Sequence, residues 1–184
     1  MKHTTLLVID MQNDFVTGAL GSKEAIAAVP NIKQILTAAS EENTTTLFTK
    51  DTHTEDYLQT QEGTYLPVPH CIKNTEGWNI IPELKPFAKP EQTIWKPTFG
   101  SLQLSSLIPP NTDAVFLTGV CTDICVISNA LLLKAYFPEL PIYLITDACA
   151  GVTPETHQAA LTVTKSCQIQ LIDTATAVSM LKGE

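Results

Sequence analysis

The chain contains few basic residues. Lysine and arginine together number 11 against 19 aspartates and glutamates, which gives a formal net charge of -8 at pH 7. Proteins that bind nucleic acids usually present a basic face, so this balance argues against a nucleic-acid partner. The N-terminal segment MKHTTLLVIDMQNDF also lacks a long apolar run, because its short apolar stretch ends at Asp10. The sequence therefore predicts neither a signal peptide nor a membrane span.

Internal repeats, low-complexity segments and linkers are absent from the sequence as well. With 44% hydrophobic and 16% charged residues, residues 1–184 are predicted to form one compact domain with a substantial core. The five cysteines are an odd number in a chain without an export signal. They predict reduced thiols in the cytoplasm.

Apolar runs alternate with amphipathic stretches along the chain. Strands are predicted at residues 5–10, 44–51, 92–96, 114–118, 141–148 and 168–173. Helices are predicted at residues 25–42, after Thr122 or Asp123 as N-cap, at 154–165 and from 174 onward. Strands without period-2 alternation, separated by helices, are typical of a parallel sheet covered on both faces. The predicted fold class is α/β, a Rossmann-like three-layer α/β/α arrangement with a mostly parallel six-stranded sheet.

The segment FLTGVCTDICVISNALLLKA places two cysteines between a predicted strand and a predicted helix. Cys125 falls in the first turn of that helix, where free backbone N–H groups and the positive end of the dipole favour a thiolate. Cys121 falls in the turn itself, so Cys125 is the better candidate nucleophile. The alternative is that both cysteines pack as small hydrophobic side chains, as free cysteines usually do.

Asp10 and Lys96 also stand at or just past the ends of predicted strands. Ligands of parallel sheets bind at the carboxyl ends of the strands, so we expect both residues on the same rim as Cys125. A carboxylate beside a thiol can take its proton, and a nearby ammonium favours the thiolate. The set would activate a nucleophile for attack on a carbonyl. Each charge taken alone is better explained as an ordinary polar residue at a strand end, and it is their convergence on one rim that favours a site.

A second group of polar residues lies on the loop KDTHTEDYLQTQEGTYLPVPHC. Asp51 and His53 are two residues apart and point the same way in an extended chain, and Glu62 and His70 follow. Two imidazoles with one or two carboxylates suit Zn(II), Mn(II) or Fe(II). The alternative is a solvated acidic loop with incidental histidines.

Four segments, LLVIDMQNDF, DTH…E…PHCIKNTEG, WKPTFGS and TGVCTDICV, together resemble the isochorismatase-like cysteine hydrolases. Within that superfamily the chain is most similar to the nicotinamidases, also called pyrazinamidases. The resemblance extends from Leu6 to Leu181. It implies the isochorismatase-like hydrolase fold and an amidohydrolase that converts nicotinamide to nicotinate and ammonia through a cysteine thioester.

The resemblance also implies roles for individual residues. Asp10 matches the catalytic acid/base of the family, Lys96 its lysine and Cys125 its nucleophile. The backbone N–H groups of Cys121 and Cys125 match its oxyanion hole. The peptide bond between Val120 and Cys121 matches one that is cis in the family.

One divalent metal ion is implied by the same resemblance, with zinc as the first expectation and manganese or iron as alternatives. Its ligands match Asp51, His53 and His70. Glu62 matches a variant of the family in which a glutamate replaces a third histidine, and Asp56 is the competing candidate for that position.

Three further residues are implied to contact substrate. Phe15 matches an aromatic residue that stacks on the substrate ring. Leu66, with Tyr65 as the alternative, stands near the place of an aromatic residue that usually precedes the last metal histidine. Phe99 stands where some relatives have a tyrosine, so a hydroxyl is missing there. Substrate preference depends on such differences, whereas the reaction class does not.

The expected partner is a small-molecule amide, with no nucleic acid and no membrane, and a homo-oligomer is left open. Two other functions also fit the sequence. One is a metal-free amidohydrolase of the same superfamily that acts on carbamoyl or ureido compounds with the same Asp-Lys-Cys set. The other is a non-enzymatic α/β binding domain whose cysteines are incidental.

Overall fold

The computed structural model describes residues 3–184, which contain a six-stranded sheet. The strands are β1 (Thr4–Ile9), β2 (Thr44–Asp51), β3 (Thr93–Lys96), β4 (Ala114–Val120), β5 (Ile142–Ala150) and β6 (Gln170–Ile172). They pair in the order β3-β2-β1-β4-β5-β6, and every neighbouring pair is parallel. The predicted α/β class is confirmed, with a sheet that is parallel throughout.

Helices cover both faces of the sheet. The α-helices are α1 (Asn13–Val16), α2 (Lys23–Glu41), α3 (Gln61–Tyr65), α4 (Leu104–Leu107), α5 (Ile127–Tyr136), α6 (Pro154–Ser166) and α7 (Thr174–Lys182). The helices α2 and α7 pack on one face, and α5 and α6 pack on the other. Across residues 3–184, no helix combines the length and the apolar character that crossing a bilayer requires.

The central strand β1 shows how the sheet divides the core. Leu6 and Val8 belong to the hydrophobic cluster beneath α2 and α7, whereas Leu7 and Ile9 belong to the cluster beneath α5. All four side chains are fully buried. A parallel strand covered on both faces needs apolar residues at every position, which explains the lack of alternation in this segment.

The order of the strands creates a crevice between β1 and β4. The chain extends the sheet from β1 through β2 to β3 in one direction and from β4 through β5 to β6 in the other. Ligands of such sheets bind outside the carboxyl ends of the strands at this switch point. Asp10 directly follows β1, and Cys121 directly follows β4.

The helix after β4 begins differently from the prediction. The N-cap is Cys121 and not Thr122 or Asp123. The carbonyl of Cys121 accepts the N–H groups of Ile124 at 3.1 Å and Val126 at 3.0 Å, which produces a π-turn over Thr122–Val126 before α5 starts. The candidate nucleophile therefore lies in a π-turn and not in the first turn of an α-helix.

The side chains of Thr122 and Asp123 have other partners, which explains why neither caps the helix. Thr122 Oγ1 lies 2.9 Å from Nδ1 of His157 on α6, and Asp123 Oδ1 accepts the backbone N–H of Val152 at 3.0 Å. The sixth strand is also shorter than predicted, because Gln168 has a φ of 65° and cannot belong to an extended segment.

Candidate active site

The structure brings Asp10, Lys96 and Cys125 together at the carboxyl end of the sheet. Lys96 is the last residue of β3, and its Nζ lies 2.6 Å from Asp10 Oδ2 and 3.4 Å from Cys125 Sγ. All three residues are buried. Asp10 has a φ of 49°, a left-handed conformation that Asp adopts more readily than most residues. The convergence that the strand ends suggested is therefore present in the molecule.

Neighbouring polar groups fix the carboxylate and the ammonium. Thr49 Oγ1 donates to Asp10 Oδ1 at 2.7 Å, while Oδ2 makes the ion pair with Lys96 and no hydrogen bond of regular geometry among residues 3–184. Lys96 Nζ also donates to the carbonyl of Thr98 at 3.1 Å and to Asp51 Oδ1 at 3.3 Å. The ammonium thus joins the carboxylate, the thiol and the loop that follows β3.

Burial sets the protonation of these groups. It raises the pKa of Asp10, although the nearby charge of Lys96 opposes that shift. Burial and then the charge of Asp10 raise the pKa of the Cys125 thiol well above its usual value, with Lys96 acting in the opposite direction. A thiol whose pKa is shifted in this direction needs a base before it can attack a carbonyl.

The turn that carries Cys125 starts with unusual backbone geometry. The peptide bond between Val120 and Cys121 is cis, in line with the sequence resemblance. Gly119 has a φ of 116°, and a Cβ at this position would collide with the backbone oxygen of Ile9 on the neighbouring strand. Glycine is therefore required at this position, where β4 pairs with Ile9 of β1.

A second cluster contains the ligand atoms of Asp51, His53, Glu62 and His70, which all lie within 4.8 Å of one another. His53 Nε2 lies 2.9 Å and His70 Nε2 lies 3.5 Å from Asp51 Oδ2. Glu62 Oε1 lies 3.6 Å from Nε2 of each histidine. Two imidazoles and two carboxylates converging on one point fit a divalent metal ion such as Zn(II), Mn(II) or Fe(II).

Glu62 and not Asp56 belongs to this cluster. Glu62 lies on α3, whose N-cap Thr60 accepts the N–H of Gly63 at 3.0 Å and so directs the first turn toward the histidines. Asp56 is exposed, and its carboxylate accepts a hydrogen bond from the hydroxyl of Thr54. The two acidic residues that the sequence left as competitors therefore occupy different surroundings.

Further buried groups hold the cluster in place. Gln12 Nε2 donates to the carbonyl of Asp51 at 2.8 Å, and Gln12 Oε1 accepts the N–H of Asp51 at 2.7 Å. The ring of Tyr57 packs edge-on against those of His53 and His70, with centroids 4.7 and 5.0 Å away. His70 Nδ1 lies 2.9 Å from the carbonyl of Val68, which leaves Nε2 for a metal.

Cys125 and the four donor residues of the second cluster line one cavity of about 750 Å³. Phe15 is buried in its wall, with its ring centroid 5.4 Å from that of His70. Leu66 and Phe99 lie at the mouth and are 37% and 43% exposed. The residues implied to contact substrate therefore line the same space as the thiol.

Sequence reasoning missed several residues that support the site, namely Gln12, Thr49, Tyr57 and Asn129. Thr49 precedes Asp51 by two positions on β2, so the alternation of a strand places the two side chains on one face. That spacing could have identified Thr49. Gln12, Tyr57 and Asn129 gave no signal in the sequence, because the role of a buried polar side chain becomes visible only through the groups that it contacts in the folded protein.

Residues 4–176 match the isochorismatase domain family, and the chain belongs to this family. The fold and the site thus define an α/β hydrolase of the isochorismatase-like class. The chain is 26% identical to the nicotinamidase of Schizosaccharomyces pombe, over 92% of this chain and 93% of that protein. It is also 26% identical to the nicotinamidase/pyrazinamidase of Mycobacterium tuberculosis, over 91% of this chain and 97% of that protein.

A solved structure shows the same similarity. The pyrazinamidase of Pyrococcus horikoshii in complex with zinc superposes with a TM-score of 0.78 at 26% sequence identity. The comparison covers 94% of this chain and 99% of that one. That relative binds zinc, and the present chain has a four-residue donor cluster able to hold a metal ion.

Proposed function

We propose that this protein is a metal-containing nicotinamidase that hydrolyses nicotinamide to nicotinate and ammonia. The observation that carries the proposal is that one cavity receives both the Cys125 thiol, backed by Lys96, and a four-donor cluster suited to a divalent ion. A thiol in contact with an ammonium suits acyl transfer, and the donor cluster suits a ring nitrogen. The relatives from S. pombe, M. tuberculosis and P. horikoshii carry names that support the same substrate class.

Asp10, Lys96 and Cys125 form the proposed catalytic set. Asp10 is the base, because burial raises its pKa and makes it a better proton acceptor than an ordinary aspartate. Lys96 stabilises the thiolate as it forms, since its ammonium lies 3.4 Å from Sγ.

The reaction proceeds in two halves. The Sγ–carbon bond forms as the thiol proton passes to Asp10, and the carbonyl electron pair moves onto oxygen. Backbone N–H groups of Cys121 and Cys125 hold this oxyanion, and one such donor is typically worth about 3 kcal/mol. When the carbon–nitrogen bond breaks, Asp10 gives its proton to nitrogen, which leaves as ammonia. Water activated by Asp10 then hydrolyses the thioester, releases nicotinate and restores the thiol.

The metal is held by Asp51, His53, Glu62 and His70 in this proposal. When bound, the ion supplies a Lewis-acid site that orients the pyridine nitrogen of the substrate. Zinc is the first expectation, and the two carboxylates also suit Mn(II) or Fe(II).

Protein side chains complete the proposed substrate pocket. Phe15 lies beside His70 and provides an aromatic surface for the ring. Leu66 and Phe99 form the mouth of the cavity. We further propose that residues 1–184 act as a single domain and that the reaction serves pyridine nucleotide salvage toward NAD in the cytoplasm.

The test is ammonia release from a panel of amides by the purified protein, with its metal content measured in parallel. The proposal expects nicotinamide among the best substrates, about one metal ion for each chain, and loss of activity on chelation that a divalent metal restores. A metal-free protein with activity on carbamoyl or ureido compounds would support the rival amidohydrolase. No ammonia from any amide would contradict both.

A further inference from the structure

Asn129, in the first turn of α5, has a fully buried side chain that no step of the proposed reaction uses. Its Nδ2 donates to the carbonyl of Cys125 at 2.7 Å and to that of Phe99 at 3.2 Å. Its Oδ1 accepts the backbone N–H of Ser101 at 2.8 Å. Both donors of the amide and its oxygen are therefore engaged, and their partners fix which way the amide group faces.

The partners of this amide lie on two different segments of the chain, and two of them, Cys125 and Phe99, line the cavity. Cys125 lies in the π-turn before α5, whereas Phe99 and Ser101 lie on the loop that follows β3. Lys96 Nζ donates to the carbonyl of Thr98 on the same loop at 3.1 Å. The loop is thus attached to the ammonium near its start and to Asn129 near its end.

We propose that Asn129 is a positioning residue that fixes the Cys125 thiol relative to the Phe99 wall of the cavity. The carbonyl of Cys125 directly follows its Cα, so holding that carbonyl restricts the backbone rotation that aims Sγ at Lys96. A displacement of about 1 Å in a reacting group can lower the rate about 100-fold. The inference rests on the proposed function insofar as Cys125 is the nucleophile.

Two substitutions distinguish the two links that Asn129 makes, namely its hydrogen bond to the carbonyl of Cys125 and its hydrogen bonds to the loop after β3. Asn129→Ala removes both of them, and we expect kcat to fall and KM to rise, with a loss of about 100-fold in kcat/KM. In Asn129→Thr the hydroxyl can still bond the carbonyl four residues earlier, which is that of Cys125, but it is too short to hold the loop. That variant is expected to keep most of kcat and to raise KM.

A substrate-independent readout is the rate at which iodoacetamide alkylates Cys125, followed by mass spectrometry. We expect this rate to change in Asn129→Ala and to stay near that of the parent in Asn129→Thr. The matched control is Thr5→Val, which removes a part-buried hydroxyl contact 3.1 Å long between the buried Thr5 and Thr112 at the opposite end of the sheet. It should lower thermal stability without altering kcat, KM or alkylation.

If Asn129→Ala, like Thr5→Val, left kcat, KM and the alkylation rate unchanged, the role of Asn129 would be merely structural. That result would overturn the inference. If Asn129→Ala does not fold, an unchanged KM in Asn129→Thr would overturn it. If the parent protein cleaves no amide, the proposed function is wrong. Alkylation then decides the positioning role alone, and an unchanged rate in Asn129→Ala would contradict it.

Discussion

Lys96 Nζ lies 2.6 Å from Asp10 Oδ2, and neither side chain is exposed to solvent. Two charges removed from water are tolerated only while each has its partner, because the attraction between them offsets the loss of hydration. Removing either partner alone is therefore strongly destabilising. The pair supplies the candidate base and places a positive charge beside the candidate nucleophile.

Lys96→Met tests the dependence of the fold on this pair. The substitution leaves Asp10 as a buried carboxylate without a counter-charge, so we expect the free energy of unfolding at neutral pH to fall by about 3 kcal/mol. Amide hydrolysis should be lost as well. Denaturant unfolding checks the first effect, and Lys23→Met is the control, because the Lys23 side chain is 91% exposed.

The same variant should show a characteristic dependence on pH. Without the ammonium, the folded-state pKa of Asp10 lies further above its unfolded value, so the folded protein binds this proton more readily than the unfolded chain does. The stability deficit relative to the parent is then largest above the folded-state pKa and shrinks as the pH falls toward the unfolded value. A deficit that does not change between neutral and acidic pH would argue against Asp10 as its source.

Asp10→Asn should separate thiol reactivity from turnover. We expect turnover to fall about 10⁴-fold, as when one member of a catalytic set is removed. The charge of Asp10 raises the pKa of the Cys125 thiol, so its removal should lower that pKa and speed alkylation at neutral pH. Cys167, at the end of α6, is an internal reference in the same digest. Slower alkylation of Cys125 in a folded variant would contradict this electrostatic account.

Much of the fold follows from the sequence because buried parallel strands are apolar at every position. The segments around Leu7 and Leu117 show this pattern. The predicted strand ends are then enough to place Asp10 and Lys96 at the same edge of the sheet. The predicted N-cap of the helix after β4 was wrong for a physical reason. Thr122 and Asp123 are good capping residues by type, but contacts with His157 and Val152 engage their side chains, and such contacts are invisible to local propensity.

Glu62→Ala and Asp56→Ala form a matched pair for the metal cluster. Glu62 Oε1 lies 3.6 Å from both histidine nitrogens, whereas Asp56 is exposed and contacts Thr54. We expect Glu62→Ala to weaken metal binding by more than the roughly 100-fold that loss of an outer partner of a ligand can cause. Asp56→Ala should bind as the parent does. Calorimetric titration of both variants with Zn(II) and Mn(II) measures these affinities. Weaker binding in Asp56→Ala together with unchanged binding in Glu62→Ala would assign the ligand role to Asp56.

The sequence placed Asp51, His53 and His70 on one loop, and it favoured Glu62 over Asp56 only through the family resemblance and the neighbouring Gly63. The choice depends on how α3 folds back over the histidines, and Thr60 sets that direction by capping the helix. Gln12 and Asn129 escaped notice for a related reason. Gln12 bonds the backbone of Asp51, and Asn129 bonds that of Ser101, and both partners are distant in sequence. Asn129 also bonds the carbonyl of Cys125, which lies on a turn whose geometry the sequence did not predict.

The most direct measurement of the central claim compares nicotinamide hydrolysis by Cys125→Ala and Cys121→Ala, both with the metal content of the parent. Cys125 supplies the attacking sulfur in this account, so its removal should lower turnover by about 10⁶-fold. Only the backbone of Cys121 takes part, so Cys121→Ala should keep much of the activity. Turnover above a few per cent of the parent in Cys125→Ala, or its loss in Cys121→Ala alone, would contradict the assignment of Cys125 as the nucleophile.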